Sequence, residues 1–238
     1  MSDSPTPTVV LVHGAFADAS GWAGIIRELK AADITVVAPA NPLRGISNDA
    51  RAIRSVAAAI DGPVLLVGHS YGGAVITEAA DGLTNLAGLV YIAAFAPAAG
   101  ESVSSVQEPF PAPLLASTVR PTPFDAVGAV GGPDLVIDPG QFQETFAADL
   151  PEDIAEVMAV SQRPLAAAAA GEPLTHSGWA ESPTWYLVSN EDRAISPDAQ
   201  RFMAGRMNAT VEDIDGSHVA FIAQPAAVAA FIVRALHA

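Results

Sequence analysis

Short apolar runs recur along the chain, and each is followed by a turn and then by a segment with helical spacing. The runs are rich in valine and isoleucine and lack polar alternation, which is typical of strands buried on both faces of a parallel sheet. Six segments are predicted as strands on this basis: Val9–Val12, Thr35–Ala38, Val64–Val67, Leu86–Ala93, Trp185–Val188 and Val211–Ile214, the last of which has Glu212 and Asp213 between its apolar ends. The alternation of strands and helices predicts an α/β fold with an open, mostly parallel sheet of about six strands flanked by helices.

Two of the intervening helices have recognisable ends. Ser47 is predicted to cap a helix that Gly62 and Pro63 end. The last helix is predicted to begin at Pro225, because proline is favoured in a first helical turn. Each helix places its apolar residues on one face: Ile53, Val56, Ala57 and Ile60 in the first, and Val228, Phe231, Ile232, Ala235 and Leu236 in the last. We expect these faces to pack on the sheet.

The alternation breaks between Pro97 and Pro183, where prolines are frequent and charges are few. Long insertions in compact domains are usually lids or binding elements. We therefore expect residues 97–183 to form a helical cap over the carboxyl ends of the strands, inserted into a core formed by residues 1–96 and 184–238. Within the insertion, helical patterns cover Gln141–Asp149, Pro151–Ser161 and the alanine run Ala166–Ala170, and a glycine-rich turn is expected at Gly128–Gly132.

The composition narrows the range of partners. The formal net charge of −15 would repel a nucleic-acid backbone, and no cluster of lysine and arginine offsets it, so nucleic acid is not an expected partner. The chain has no cysteine, which excludes disulfides, thiolate metal sites and a cysteine nucleophile. No His-Glu-x-x-His pair suggests a metal either, and we expect neither a metal nor another cofactor.

The N-terminal segment Met1–Thr8 has neither the basic start nor the apolar stretch of a secretory signal. No apolar run reaches the roughly 18 residues that suggest a membrane-spanning helix. We expect a cytoplasmic protein without membrane association that exists as a monomer or a homodimer.

The most informative segment is Val64–Ile76, where a buried strand leads through Gly68-His69-Ser70-Tyr71-Gly72 into a helix. This is the setting in which a Gly-x-Ser-x-Gly turn holds a serine in a strained conformation above a sheet. The two glycines remove side chains that would collide where strand and helix cross closely. The following helix directs its amino end toward developing negative charge. Ser70 is therefore the predicted nucleophile.

A serine nucleophile needs a base, and the chain offers five histidines. His218 follows the last predicted strand, where the chain order serine, acid, histidine requires the base. His13 and His69 adjoin predicted strands and are interpreted as structural residues. His237 falls in the terminal helix, and His176 in the insertion.

The acid that orients the base should follow the strand Trp185–Val188. Asp192 is the preferred candidate, and the adjacent Glu191 is the alternative. Asp198 follows Pro197 and is typical of a first helical turn, while Asp215 is too close to His218 in sequence. The oxyanion hole is predicted from the backbone N–H groups of Tyr71 and Ala15, with Phe16 as the second choice for the latter.

These motifs together resemble the α/β-hydrolase superfamily over essentially the whole chain. The nearest likeness is to the plant methylesterase and hydroxynitrile lyase group and its bacterial relatives. Four stretches carry it: His13–Trp22 with its His-Gly-Ala start, the elbow Gly68–Gly73, Ala93–Pro97 at the entry to the insertion, and His218–Phe221. The resemblance implies an α/β-hydrolase fold. The lyases of this group carry a threonine in place of Gly14 and a lysine in place of Val219, so the resemblance favours its esterases.

We therefore expect a serine hydrolase that cleaves small, apolar carboxylic esters through an acyl-enzyme, with a small-molecule ester as its partner. Tentative substrate-lining residues are Phe16, Trp22, Phe95, His176 and Trp179. A lactonase, amidase, acyltransferase or perhydrolase would share the same three catalytic residues. A small-ligand receptor on a hydrolase fold is a further alternative, against which the intact Ser70, Asp192 and His218 weigh.

Overall fold

The computed structural model of the chain describes residues 6–124 and 132–238. Their main sheet has six strands in the order β2-β1-β3-β4-β8-β9, and every neighbouring pair is parallel. The strands are β1 (Thr8–Val12), β2 (Val36–Val37), β3 (Val64–His69), β4 (Leu86–Ile92), β8 (Thr184–Ser189) and β9 (Thr210–Ile214). Each of the six apolar runs is thus a strand of this sheet, and the predicted α/β architecture is confirmed.

Five helices connect or follow these strands. They are α1 (Ala23–Ala31), α2 (Ile46–Ala58), α3 (Tyr71–Ala79), α9 (Pro197–Arg206) and α11 (Pro225–Leu236), with the short α10 (Ala220–Ala223) before the last. The prediction for α11 is confirmed, and Val228, Phe231 and Ile232 on its inner face are buried. The prediction that Ser47 caps α2 is wrong, because the helix begins at Ile46 and the Ser47 hydroxyl donates instead to Glu172.

The strand order places a switch point between β1 and β3. The chain leaves β1 toward β2 on one side, and then returns to form β3 on the other side of β1. In open α/β sheets, ligands bind outside the carboxyl ends of the strands at such a point. Here the carboxyl end of β1 leads into His13 and Gly14, and that of β3 leads into Ser70.

The segment 97–183, which we call the insertion, is not purely helical. It contains a three-stranded antiparallel sheet in the order β5-β6-β7, which the sequence analysis did not predict. Its strands are β5 (Val119–Thr122), β6 (Asp134–Ile137) and β7 (Leu165–Ala166). Pro121 lies in β5, which is an edge strand of this small sheet. Because an edge strand has only one neighbouring strand, the N–H that proline lacks is not needed for hydrogen bonds to a second one.

The helices of the insertion are α4 (Val103–Gln107), α5 (Leu115–Thr118), α6 (Phe142–Phe146), α7 (Glu152–Val160) and α8 (Ala167–Gly171). The helical patterns at Gln141–Asp149, Pro151–Ser161 and Ala166–Ala170 therefore correspond to α6, α7 and α8. Most of the predicted turn at Gly128–Gly132 lies outside the described residues. No helix in the described part of the chain combines the length and apolarity that crossing a bilayer requires.

Candidate active site

Ser70 occupies the turn between β3 and α3 in a conformation that few residues other than glycine adopt. Its φ is 53° and its ψ is −126°. The backbone carbonyl of Ser70 accepts hydrogen bonds from the N–H groups of Gly73 and Phe95, both at 3.0 Å, which hold the turn in place. A non-glycine residue at positive φ stores strain that persists only where the surrounding structure enforces it, as at functional sites.

Glycines surround Ser70 because no side chain fits in their place. A Cβ on Gly14 would lie 2.6 Å from Ser70 Cβ and 2.9 Å from His69 O. A Cβ on Gly68 would lie 2.7 Å from the backbone of Gly72. The loop after β1 and the turn after β3 can therefore approach this closely only with glycine at both positions.

His218 and Asp192 form a buried pair. His218 Nδ1 lies 2.7 Å from Asp192 Oδ2, and both side chains are almost fully buried. His218 Nε2 is also buried, and it has no hydrogen-bond partner among the described residues. One ring nitrogen is thus fixed by the carboxylate while the other remains available to accept a proton, as a general base requires.

The loop after β8 holds the Asp192 carboxylate through several donors. Its Oδ1 accepts the backbone N–H groups of Ala194 at 2.7 Å and Ile195 at 3.0 Å. Its Oδ2 accepts the side-chain amide of Gln200 at 2.8 Å in addition to His218. Glu191, by contrast, is exposed. The structure therefore brings Asp192, and not Glu191, to His218.

His69 supports His218 from the strand side. Its Nε2 donates to the backbone oxygen of His218 at 2.9 Å, and the two ring centroids are 4.6 Å apart. Burial, and then the neighbouring His218, lowers the pKa of His69 well below its ordinary value of 6.5. His69 therefore remains a neutral structural donor over the physiological range, as the sequence interpretation expects.

His13 plays a comparable part in the loop after β1. Its Nδ1 donates to the oxygen of Gly14 at 2.9 Å, and its Nε2 accepts the backbone N–H of Asn41 at 2.9 Å. Both ring nitrogens are thus engaged in holding the loop that carries Gly14 and Ala15. This arrangement fits the structural role expected for His13.

The backbone N–H groups of Ala15 and Tyr71 donate no hydrogen bond within the described residues. The Phe16 N–H, the second choice for the oxyanion hole, donates to the oxygen of Arg163 in the insertion at 3.0 Å. Two free donors flanking a serine are what an oxyanion hole requires. The geometry therefore favours Ala15 over Phe16 as the partner of Tyr71.

An apolar pocket of about 320 Å³ lies between the core and the insertion, and it is lined by hydrogen-bonding partners of Ser70 and Asp192 rather than by those residues themselves. Phe95, which bonds to Ser70 O, and Ala194, which bonds to Asp192 Oδ1, form its inner wall. The remaining wall comes from α4, α5 and the residues around them: Val103, Ser104, Gln107, Glu108, Phe110, Ala112, Pro113, Leu115, Ala116 and Val119. Phe95 thus lies where a substrate-lining residue is expected.

Phe16 lines a different groove, of about 420 Å³, together with Ile154, Met158 and Ile222. Its ring contacts Phe146, whose centroid lies 4.8 Å from that of His218. Phe146 therefore packs against both Phe16 and His218.

Three residues expected to line the substrate site lie elsewhere. Trp22 is fully buried in the core, 4.5 Å from the ring of Phe221. His176 and Trp179 pack at the far end of α3, roughly 10 Å from Ser70 at 1.5 Å per helical residue. There His176 lies near Glu78 and Asp81, and Trp179 Nε1 donates to Pro97 O at 3.1 Å. The structure therefore corrects their assignment, because the insertion crosses this end of α3 before it returns to β8.

Three supporting residues were missed by the sequence analysis. Gln200 contacts the acid, and Asp149 accepts both the backbone N–H and the hydroxyl of Ser217, the residue before His218. Asp49 accepts the hydroxyl of Tyr71 at 2.9 Å. Asp149 and Asp49 join segments that are distant in sequence, so no local motif marks them, whereas Gln200 lies only eight residues after Asp192. Within the described residues, no group of three or more histidine, aspartate and glutamate side chains is arranged to hold a metal ion.

Comparison with known proteins gives consistent matches. The sequence profile described as "Alpha/beta hydrolase family" matches residues 9–231. Putative methylesterase 19 of Arabidopsis thaliana is 26% identical over 252 residues, covering 94% of this chain and 95% of that protein. Alpha/beta hydrolase nvfD of Aspergillus novofumigatus is 26% identical over 223 residues, covering 85% of this chain and 84% of that protein.

Among solved structures, a pyrethroid hydrolase from Sphingobium faniae JZ-2 superimposes with a TM-score of 0.81 at 21% identity, covering 98% of each chain. This likeness confirms the predicted fold. The expected resemblance to the methylesterase group is confirmed by the Arabidopsis relative.

Proposed function

Since this chain belongs to the alpha/beta hydrolase family, we propose that it is a serine esterase that cleaves small, apolar carboxylic esters through an acyl-enzyme on Ser70. The chain is an esterase-type hydrolase by its family and its methylesterase relatives. One observation carries the assignment of residues: His218 is bound at Nδ1 to a buried carboxylate while its Nε2 has no partner among the described residues, near a strained serine.

In the proposed mechanism, the Ser70 hydroxyl attacks the ester carbonyl carbon while His218 Nε2 takes the hydroxyl proton. Asp192 holds the imidazole in the required tautomer and stabilises the imidazolium that forms. The N–H groups of Ala15 and Tyr71 stabilise the oxyanion of the tetrahedral intermediate. His218 then gives the proton to the leaving alkoxide, and the acyl group remains on Ser70.

The second half repeats the same steps with water. His218 takes a proton from a water molecule that attacks the acyl carbonyl, and the Ser70 oxygen leaves and recovers that proton. The carboxylic acid is released and the enzyme returns to its starting state. No step requires a group outside the chain and its substrate.

The apolar pocket beside the site supports a compact, apolar substrate group. Its volume of about 320 Å³ is at the small end of ligand sites, and its inner wall is Phe95 and Ala194. We take the insertion, residues 97–183, as a cap that forms the outer wall of this pocket. A long acyl chain would exceed the pocket, so short or compact esters should be preferred.

A series of p-nitrophenyl esters of increasing acyl length tests this function. The rate should be highest for short acyl groups and should fall by several orders of magnitude in Ser70→Ala for all of them. Equal turnover by Ser70→Ala and the unaltered protein would contradict the proposal.

A pair of variants on α5 tests the pocket in the same series. Ala116 lines the pocket and Ser117, its neighbour, does not. Ala116→Phe should reduce kcat/KM for the longer esters more than for the acetate, while Ser117→Phe should leave the ranking unchanged. If the two variants gave the same ranking, the substrate would bind elsewhere.

A further inference from the structure

Two N–H donors share one oxygen of Asp192. His218 Nδ1 lies 2.7 Å from Asp192 Oδ2, and Gln200 Nε2 lies 2.8 Å from the same atom. Gln200 is fully buried on the first turns of α9. A hydrogen bond to a carboxylate oxygen draws electron density from it, so a second donor weakens its attraction for the first.

The orientation of the Gln200 amide is fixed by its other contacts. Its Nε2 also donates to Ile195 O at 3.1 Å, and its Oε1 accepts the backbone N–H of Ser189 at 3.1 Å. A flipped amide would place its oxygen against the Asp192 carboxylate and its NH₂ group against the Ser189 N–H. Both contacts would be repulsive, so the network itself requires the amide to donate to Asp192.

We propose that Gln200 is a positioning residue that fixes the Asp192 carboxylate and limits how far Asp192 stabilises the imidazolium form of His218, in which Nε2 also carries a proton. This inference rests on the proposed function, because it concerns the same acid and base. A base that holds its proton too strongly is protonated over more of the working pH range and cannot accept the proton of Ser70. Gln200 therefore keeps His218 available as a base at lower pH.

Other charged or titratable groups face the pair from the surrounding elements. His69 packs on the His218 ring, and Tyr186 lies near Asp192. Burial lowers the pKa of His69 and raises the pKa of Tyr186, so in both cases burial favours the neutral form. Asp149 binds the turn before His218, while Glu191 and Arg193 are exposed on the Asp192 loop. None of these donates to Asp192 Oδ2 in place of Gln200.

Gln200→Met, which keeps the length of the side chain and removes its donor, tests the proposal. The low-pH decline of kcat/KM should move to higher pH, on the order of half a unit, and the midpoint of the His218 imidazole titration seen by NMR should move with it. A purely structural role would lower activity or stability without moving either midpoint. The proposal would be overturned if the kcat/KM decline and the His218 titration each had the same midpoint in the variant as in the unaltered protein.

Met203→Leu, a substitution at another buried position of α9, provides the matched control and should move neither midpoint. A measurement on the unaltered protein keeps the proposal testable if Gln200→Met does not fold. The Gln200 side-chain amide resonances should shift in the same pH step as His218, because both donate to Asp192 Oδ2. An amide that does not respond to that step contradicts the proposal.

These outcomes separate the inference from the proposed function. The NMR midpoints report on Gln200 and His218 whether or not esters are turned over. If turnover depends on Ser70 but the midpoints coincide, only the role of Gln200 is wrong. If the midpoints move but turnover does not depend on Ser70, the role of Gln200 in tuning His218 stands and the esterase mechanism is wrong.

Discussion

Asp149 in the insertion holds Ser217, the residue that precedes the catalytic histidine. The Asp149 carboxylate accepts the Ser217 backbone N–H at 2.8 Å and its hydroxyl at 2.5 Å. The turn that carries His218 is therefore hydrogen-bonded to the insertion as well as connected to the sheet. A conformational change in the insertion can thus displace His218 through the Asp149 carboxylate.

Asp149→Ala should lower both stability and turnover. Loss of hydrogen bonds to a charged acceptor should reduce the unfolding free energy by about 1–3 kcal/mol. A less constrained His218 should reduce kcat roughly tenfold, with a smaller effect on KM. Asp215→Ala provides the control, since Asp215 is exposed on the same turn and bonds only to Asn190 through its side chain. Equal effects of the two substitutions, measured by urea unfolding and steady-state kinetics, would contradict the role given to Asp149.

Gly14→Ala should disable the site, because the new methyl group would lie 2.6 Å from Ser70 Cβ. Either the oxyanion loop or the nucleophile must move, and a displacement of this size should lower kcat/KM by about 100-fold or more. Gly205→Ala is the matched control, because a Cβ there meets nothing within 4 Å. Gly205 is the penultimate residue of α9, so the substitution should raise the unfolding free energy by less than about 1 kcal/mol and leave activity unchanged. Wild-type activity in Gly14→Ala would show that the loop and the nucleophile are not closely coupled.

Asp192→Asn should reduce turnover at neutral pH by about 10⁴-fold, because an amide in that place favours the wrong tautomer of His218. Glu191→Gln should have little effect, since that side chain is exposed and remote from the imidazole. The two kcat/KM values measured side by side decide between the adjacent acids. A larger loss in Glu191→Gln would reverse the assignment.

The candidate nucleophile and the candidate base could be proposed from sequence because each is marked locally. Gly-x-Ser-x-Gly between a strand and a helix defines Ser70, and the position after the last strand defines His218. The choice of Asp192 over Glu191 was less certain, since both follow β8. The structure separates them by burial: the loop turns so that its own N–H groups at Ala194 and Ile195 bind one carboxylate and leave the other exposed.

Asp149 and Asp49 could not be predicted as supporting residues, because they depend on contacts between distant segments. Asp149 and Ser217 are 68 residues apart in sequence. The antiparallel sheet of the insertion was missed for a related reason: β5 and β6 pair with each other, and their short runs carry polar residues and a proline. The sequence also does not show where an aromatic side chain packs. Trp22 and Trp179 were therefore expected to line the substrate site, although they pack elsewhere.

Stability should fall as the pH drops below about 6.5. Burial lowers the pKa of His69 well below 6.5 in the folded chain, while the unfolded chain takes up a proton near that value. Below pH 6.5 the unfolded state therefore binds more protons than the folded state. The contribution of neutral His69 to the unfolding free energy is fully present above pH 6.5 and is lost progressively below it. The loss should grow as the pH falls further, until the lowered folded-state pKa of His69 is reached.

His69→Gln isolates this effect, because the glutamine amide can still donate to His218 O in place of the imidazole Nε2. We would measure urea unfolding between pH 7.5 and 5.5, a range that lies above roughly pH 5, where carboxylates begin to protonate. The unfolding free energy should decline less steeply with falling pH in the variant than in the unaltered protein. His237→Gln, at an exposed position near the C-terminus, should leave the decline unchanged. An unchanged slope in His69→Gln would show that His69 is not the source.

The acyl-enzyme itself gives the most direct test of the account. The protein should be mixed with p-nitrophenyl acetate, quenched in acid within milliseconds to seconds, digested and analysed by mass spectrometry. We expect an added acetyl group on the peptide that contains Ser70, formed with the burst of p-nitrophenol and absent from Ser70→Ala. Sustained turnover without any adduct on Ser70, or an adduct and full activity that persist in Ser70→Ala, would contradict it.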